Sequence, residues 1–254
     1  MKLSVEAPPV AVSGGGGAPV ADPTLRLAEV LERGSVAEQQ NALATVAKLQ
    51  TPAAEALVSG WMTKLLEGRV PAELELDVLD AAAAQPGLKS KVEQWKTAHA
   101  SAGPHDMAPW KPALVGGNVE AGRKVFIERA EVACVRCHKV GGEGGEVGPE
   151  LSGLVEKRGR EYVLQSILYP NAGIAEGFEN LLVNLKDGTA YAGIIKSETA
   201  DELVINSPEE GLVTLKKANI TSREKGLSGM PDGFGELLSR QDLRNLVEFL
   251  ASAK

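Results

Sequence analysis

Cys134-Val135-Arg136-Cys137-His138 holds both cysteines of the chain. Two thiols three residues apart, with an imidazole directly after the second, form the attachment pattern of a c-type haem. The thiols can bond to the two vinyl groups of the porphyrin, and His138 can give the iron a nitrogen ligand. On this reading the surrounding chain must hold one iron, tune it and present one edge of the ring. Two other uses of the motif stay open at this point. A redox dithiol is one, although no thioredoxin-like strand precedes Cys134. A structural zinc site is the other, but it needs a fourth ligand, for which His99 or His105 would have to reach far along the chain.

Composition narrows the setting. Of 254 residues, 43% are hydrophobic and 24% charged, the balance of an ordinary globular chain. Only 4% are aromatic, and alanine is abundant, which favours helices packed through small side chains. A formal charge of -7 argues against a nucleic-acid partner. No apolar run of about 18 residues exists to span a membrane. Haem is attached outside the cytoplasm, yet Met1 to Val12 lacks a continuous apolar core and is interrupted by Pro8-Pro9, unlike a signal peptide. The simplest expectation is a processed or truncated chain with a starting methionine, and a lipid anchor or larger parent protein upstream stays open.

Residues 1–22 read as a flexible tail, with Ser13-Gly14-Gly15-Gly16-Gly17 flanked by prolines. Residues 23–100 read as helices. Ser35 with Glu38 forms a capping box, and Thr51 before Pro52 forms another start. Gly68 and Pro86-Gly87 supply the breaks. Short helices with tight breaks suggest stacked antiparallel pairs of the HEAT-like kind, or a plain bundle. Residues 101–117, crowded with proline and glycine, read as a linker.

The second domain spans 118–254. Asn118 can cap a helix through Val125 and Phe126. Ser239, with Asp242 as its box partner, can cap an amphipathic helix from Arg240 to Ser252. These two helices are expected to cross near Gly122 and Phe126. Between them, Phe178 to Lys186, Asp187-Gly188 and Thr189 to Ile195 read as a hairpin. Further short strands follow, giving a β insertion at about 176–222 in the form of a small antiparallel sheet or an SH3-type barrel. The glycines from 141 to 148 do not read as a phosphate loop, because no Lys-Ser/Thr pair closes the run and Glu143 and Glu146 would repel phosphate.

This arrangement resembles the class I cytochrome c fold, in which the first and last helices cross and the haem motif follows the first. The expected fold class is mainly α, with an N-terminal HEAT-like or bundle domain and a cytochrome c domain carrying the β insertion. Gly148-Pro149-Glu150-Leu151 is similar to the family's Gly-Pro-x-Leu stretch. The resemblance implies that the Pro149 carbonyl accepts a hydrogen bond from the ring of His138, fixing its orientation. Tyr162 to Leu168 would be the middle helix. Met230-Pro231, after Gly226-Leu227-Ser228-Gly229, resembles the Met-Pro loop of methionine-ligated members and is the expected second axial ligand. Met107 is a weaker rival, and Met62 reads as core. Arg136 faces either a haem propionate or solvent. Tyr162, Arg158 and Arg160 are further candidate propionate contacts.

The whole pattern also resembles the haem-binding domain widespread in planctomycete and verrucomicrobial proteins, often joined to sugar-dehydrogenase-like and HEAT-like modules. The landmarks are Gly122, the cysteine motif, Gly148-Pro149, Leu151, Asn171-Ala172-Gly173-Ile174, the strands, Met230-Pro231 and the last helix. No sugar-dehydrogenase-like catalytic segment is present. The resemblance implies a non-enzymatic, extracytoplasmic one-electron carrier with one covalent haem c, His138 and Met230 on the iron, and redox proteins as donor and acceptor. A ligand sensor or catalytic haem protein with a displaceable methionine, and an interaction scaffold with a regulatory haem, are the alternatives.

Overall fold

Helix starts in the N-terminal region are written in its caps. The computed structural model describes residues 22–207 and 209–254. The tail expected over 1–22 therefore lies outside the described residues, apart from Asp22. That residue caps α1 (Pro23–Arg33) by accepting from Thr24 N at 3.0 Å. Ser35 and Glu38 form a reciprocal capping box on α2 (Val36–Val46). Thr51 accepts from Ala54 N at the start of α3 (Pro52–Leu66). Two more helices follow, α4 (Glu75–Ala83) and α5 (Lys89–Ala98). Together they enclose a first core that includes Leu43, Val58, Met62, Leu74, Val78 and Trp95. One polar side chain belongs to it. Gln85 is buried, and its amide donates to the carbonyls of Val46, Ala47 and Leu49. It thereby satisfies acceptors that the end of α2 leaves without helical partners.

A second core is built on the crossing of α6 (Val119–Glu128) and, at the far end of the chain, α11 (Arg240–Ser252). Asn118 and the Ser239/Asp242 box cap the two helices. A Cβ at Gly122 would run into the Asn245 carbonyl and Phe249, so the absence of a side chain sets how closely the helices approach. Beside it the rings of Phe126 and Phe249 pack with centroids 5.5 Å apart. Between these helices come α7 (Cys134–Cys137), the two-residue strands β1 (Lys139–Val140) and β2 (Glu143–Gly144), α8 (Leu154–Arg158) and α9 (Arg160–Leu168).

The stretch from Met107 to Leu114, inside the segment read as a linker, packs into this second core. Met107 and Ala113 are buried there, with Trp110 and Leu114 at its edge. Prolines fix φ without preventing a 3-10 turn, and that turn runs over Ala108–Ala113.

Strands β3 (Asn180–Leu185), β4 (Ala190–Glu198), β5 (Glu202–Ser207), β6 (Gly211–Lys216) and β7 (Ile220–Lys225) form an antiparallel sheet in the order β6-β5-β4-β3-β7. Among the described residues its hydrogen bonding is an open row with β6 and β7 at the edges, so the sheet is formed and closure into a ring of paired strands is not. Gly188, at φ 87°, takes the left-handed position of the β3–β4 turn, with its N–H on Leu185 O at 3.1 Å. Val183, Leu203, Ile205 and Leu215 make a third, separate core inside the sheet. A last short helix, α10 (Phe234–Leu237), leads into α11.

The N-terminal helices join the second core through α11. Arg244 is buried and grips Asp77 of α4 at 2.6 and 3.0 Å, with Gln241 Oε1 at 2.7 Å. Gln40 of α2 donates to the carbonyls of Glu73 and Gly116, tying both regions at one corner.

Candidate haem site

Helix α6 delivers the chain to the motif through Ala133, which takes the left-handed conformation at φ 45°. A residue with a Cβ adopts it reluctantly. Its peptide groups are nevertheless both used, as its N–H donates to Arg129 O at 2.9 Å and its carbonyl accepts from Arg136 N at 2.9 Å. The single turn of α7 follows, closed by His138 N on Cys134 O at 3.0 Å. Positions i and i+3 share one side of such a turn, so the two cysteines are presented together. Both thiols are free.

Burial pushes the Cys134 thiol up to about 11, opposed by its backbone hydrogen bond and reinforced more weakly by the neighbouring Cys137. Reactive dithiols work through a lowered thiol, so this environment counts against the redox-dithiol alternative. Among the described residues, no group of three or more His, Cys, Asp or Glu side chains is placed to hold a metal ion. The zinc alternative therefore lacks its ligand set there.

His138 is held from its far side. Its Nδ1 lies 2.9 Å from the Pro149 carbonyl, which can only accept, so Nδ1 carries the proton. Burial lowers the affinity of the imidazole for a second proton, partly offset by that hydrogen bond. The neutral ring consequently keeps its lone pair on Nε2, the state that ligates a metal.

The glycine-rich loop is wrapped on the motif itself. Gly141 and Gly142, at φ 60° and 84°, supply the paired left-handed residues of a tight hairpin between β1 and β2. Gly145 N donates to Val135 O at 2.9 Å, and Gly148 N to Cys137 O at 2.7 Å. A Cβ at Gly145 would strike the Arg136 carbonyl, and one at Gly148 would lie 2.5 Å from His138 Cε1. Two of these glycines thus let backbone reach backbone and ring. Lys139 pairs with Glu146 across the loop and is the main cause of that carboxyl's lowered proton affinity. Lys196 of β4 adds a weaker pull.

Met230 is half-buried against the second core, whose edge also holds Cys134, Val135, Val140, Leu151, Tyr162 and Tyr169. Cys134 and Met230 lie at the rim of one apolar core, and the donor set of two thiols, one imidazole and one thioether fits a haem c. The other candidates separate. Arg136 is exposed. Arg158 lies 4.3 Å above the Tyr162 ring. Arg160 is committed to Glu248 in a two-pronged pair and to the Leu114 carbonyl, so it braces α9 against α11. Met62 is fully buried in the first core, and Met107 is buried in the second. His99 stacks on Trp95 at 4.1 Å. His105 folds back onto Tyr169 at 5.1 Å.

The family model for cytochrome c matches residues 119–204. That match supports a class I cytochrome c domain and carries with it one covalently attached haem c, for which the two cysteines provide a single attachment site. Haem-based electron transfer is the activity such a domain indicates. The matched segment contains α6, the motif, Pro149, α8 and α9, and ends within β5. No curated protein matches the chain.

Two residues that the sequence reading left without a role stand beside the candidate methionine. Asn171 and Asn180 both donate side-chain hydrogen bonds to the loop around Met230. Asn171 was noted only as part of a family landmark. No spacing rule marks a polar side chain whose partner lies dozens of positions along the chain.

Proposed function

We propose that residues 118–254 form a mono-haem electron carrier in which Cys134 and Cys137 hold the cofactor, and His138 and Met230 are the axial ligands. The observation that carries this reading is the geometry at His138: its Nδ1 lies 2.9 Å from the Pro149 carbonyl, which leaves Nε2 free to ligate, and the ring directly follows two free thiols presented on one turn. A haem c bound there supplies a one-electron ferric/ferrous couple. The chain supplies orientation through Pro149, a thioether through Met230 and an apolar wall through the rim of the second core. With His138 and Met230 both committed to the cofactor, the domain would pass electrons and would leave no place for substrate at the iron. Tyr162, with Arg158 over its ring, and the exposed Arg136 are the residues we assign to the outer contacts of the cofactor.

The sheet is an insertion of the kind implied by the resemblance to the planctomycete-type domain. The N-terminal helices serve as a HEAT-like scaffold. Donor and acceptor are redox proteins, and the net charge of -7 favours steering of a basic partner. The compartment is extracytoplasmic, where covalent haem attachment takes place. No helix of the described residues is long and apolar enough to cross a membrane.

The test is an intact mass combined with spectra of the exported, matured protein, with and without carbon monoxide. One added haem mass, a methionine–iron band in the ferric state and slow carbon monoxide binding are expected. Met230→Ala should abolish the band and lower the potential. Immediate carbon monoxide binding to the unaltered protein would instead favour a sensor or catalytic role.

A further inference from the structure

The loop that carries Met230 has little to hold it in place by itself. Gly226, Gly229 and Gly233 punctuate it, Gly233 lies at φ 93°, and Leu227 is 74% exposed. Its order comes from side chains elsewhere. The amide of Asn171, beyond the end of α9, reaches both flanks of the methionine. Its Oδ1 accepts from Ser228 N at 2.8 Å, and its Nδ2 donates to Asp232 Oδ2 at 2.7 Å. A backbone N–H can only donate and a carboxylate only accepts, so the orientation of this amide is fixed. Asn180, the first residue of β3, donates from Nδ2 to Leu227 O at 2.9 Å, while its own carbonyl accepts from Gly226 N at 2.8 Å. Met230 N is held within the loop by Ser228 Oγ at 3.1 Å.

We propose that Asn171 and Asn180 are positioning residues that clasp the Met230 loop, and that Asn180 makes the inserted sheet part of the apparatus holding the axial thioether. This rests on the reading of Met230 as a ligand. Asn171 grips residues two before and two after Met230, so the ligand position is pinned from both sides. Asn180 adds the stem of the sheet, where β3 and β7 pair through Leu181 and Lys225. A shift of that stem, by a partner on the sheet or by a substitution, is transmitted to Leu227 and then to Met230. The sheet therefore influences how easily the sixth ligand leaves the iron.

The experiment uses the matured haem-bearing protein and four variants: Asn180→Ala, Asn171→Asp, Asn171→Asp with Asp232→Asn, and Met230→Ala. Asn171→Asp leaves an acceptor for Ser228 N but sets two carboxylates against each other. The added Asp232→Asn restores that bond with donor and acceptor exchanged. The readouts are the ferric methionine–iron band, the potential, the rate of carbon monoxide binding to the ferrous protein, and amide hydrogen exchange over 226–233. Asn180→Ala and Asn171→Asp should weaken the band, lower the potential and speed carbon monoxide binding roughly 2- to 10-fold for each bond lost. The double variant should return all three toward wild type. Unchanged iron readouts in the asparagine variants, alongside a lost band in Met230→Ala, would refute the clasp and leave the ligand reading standing. An unchanged Met230→Ala would remove both. Faster exchange in the loop without any change at the iron, or rescue of exchange without rescue of the band, would reduce the asparagines to structural residues and overturn their positioning role.

Discussion

The N-terminal helices and the five-stranded sheet are attached to the second core in opposite ways. The helices meet α11 through a buried ion pair, Arg244 with Asp77, whose side chains are only 5% and 10% exposed. Gln241 and Gln40 add hydrogen bonds around it. The sheet has its own small core and reaches the rest of the chain through the stem at Asn180 and Gly226. A buried charge pair tolerates almost no displacement, because each partner left alone stays desolvated. A paired stem tolerates much more. The comparison teaches that one addition is a foundation under the last helix. The other is a lever whose fulcrum lies beside the loop carrying Met230.

The largest effect expected from breaking this contrast is at the foundation. Arg244→Ala leaves Asp77 buried without its partner and should cost about 3–5 kcal/mol. Urea unfolding and protease cleavage between residues 99 and 117 report it. Unchanged stability and unchanged cleavage would mean that other contacts hold the junction. The next effect lies in the sheet. Leu203 is fully buried in its core, and Leu203→Ala should cost about 2–5 kcal/mol. The loss should stay local, with faster hydrogen exchange over 180–225 and unchanged protection in α6 and α11. Equal loss of protection in α11 would show that the sheet is as firmly fused as the helices are.

The parts of this contrast legible in the sequence are those written in local chemistry. Both capping boxes, the Asn118 cap and the Asp187-Gly188 turn depend on residues within four positions of one another. The close approach at Gly122 was legible because a glycine followed by a large ring at helical spacing marks a crossing. The haem motif was legible for the same reason, with two thiols and an imidazole inside five positions, whereas the bond from His138 to Pro149, eleven positions on, was expected only from the resemblance to class I cytochromes c. Helix α8 was missed because left-handed glycines, Gly153 and Gly159, bracket only five residues. The packing of Met107 to Leu114 was hidden by prolines that read as a linker. Arg244, Asp77, Asn171 and Asn180 were out of reach because their partners are distant in the chain, and a charged or amide side chain carries no mark of whom it will meet.

A smaller effect sharpens the picture of the junction through pH. Partial burial beside α11 is the main cause pushing the Asp80 carboxyl above its ordinary 3.8. The Gln241 hydrogen bond opposes it, Asp77 adds to it, and Arg244 and Arg240 pull it down more weakly. With a folded value above the unfolded one, the folded chain binds more protons in the interval between them. Stability then falls as pH rises through that interval, and the penalty is complete above the folded value. Asp80→Asn removes the penalty and keeps an oxygen for Gln241. The melting temperature should rise on the order of 1 °C at neutral pH, with the gain gone below pH 3.8. A gain that persists at pH 3 would have to come from some cause other than this carboxyl.

The smallest effect belongs to the sheet's outer face, where Glu198 receives Arg223 at 2.7 and 3.1 Å and Lys217 at 2.7 Å. Hydrogen bonds from Arg223 and then Lys217 hold its proton affinity down at about 2, from an ordinary 4.5. Here the sign reverses. The contribution is complete above 4.5 and is lost as pH falls through about 2. All three side chains remain solvated, so water and salt screen the pairs. Glu198→Gln should therefore leave the neutral-pH melting temperature almost unchanged, and its slight deficit should disappear in strong salt. It should leave the methionine–iron band unchanged as well, since Glu198, Arg223 and Lys217 pair with one another and hydrogen-bond neither Asn180 nor the Met230 loop. A lost band in this variant would mean that these surface pairs are coupled to Met230 as tightly as the stem is, and the lever would then have to be described as a rigid block.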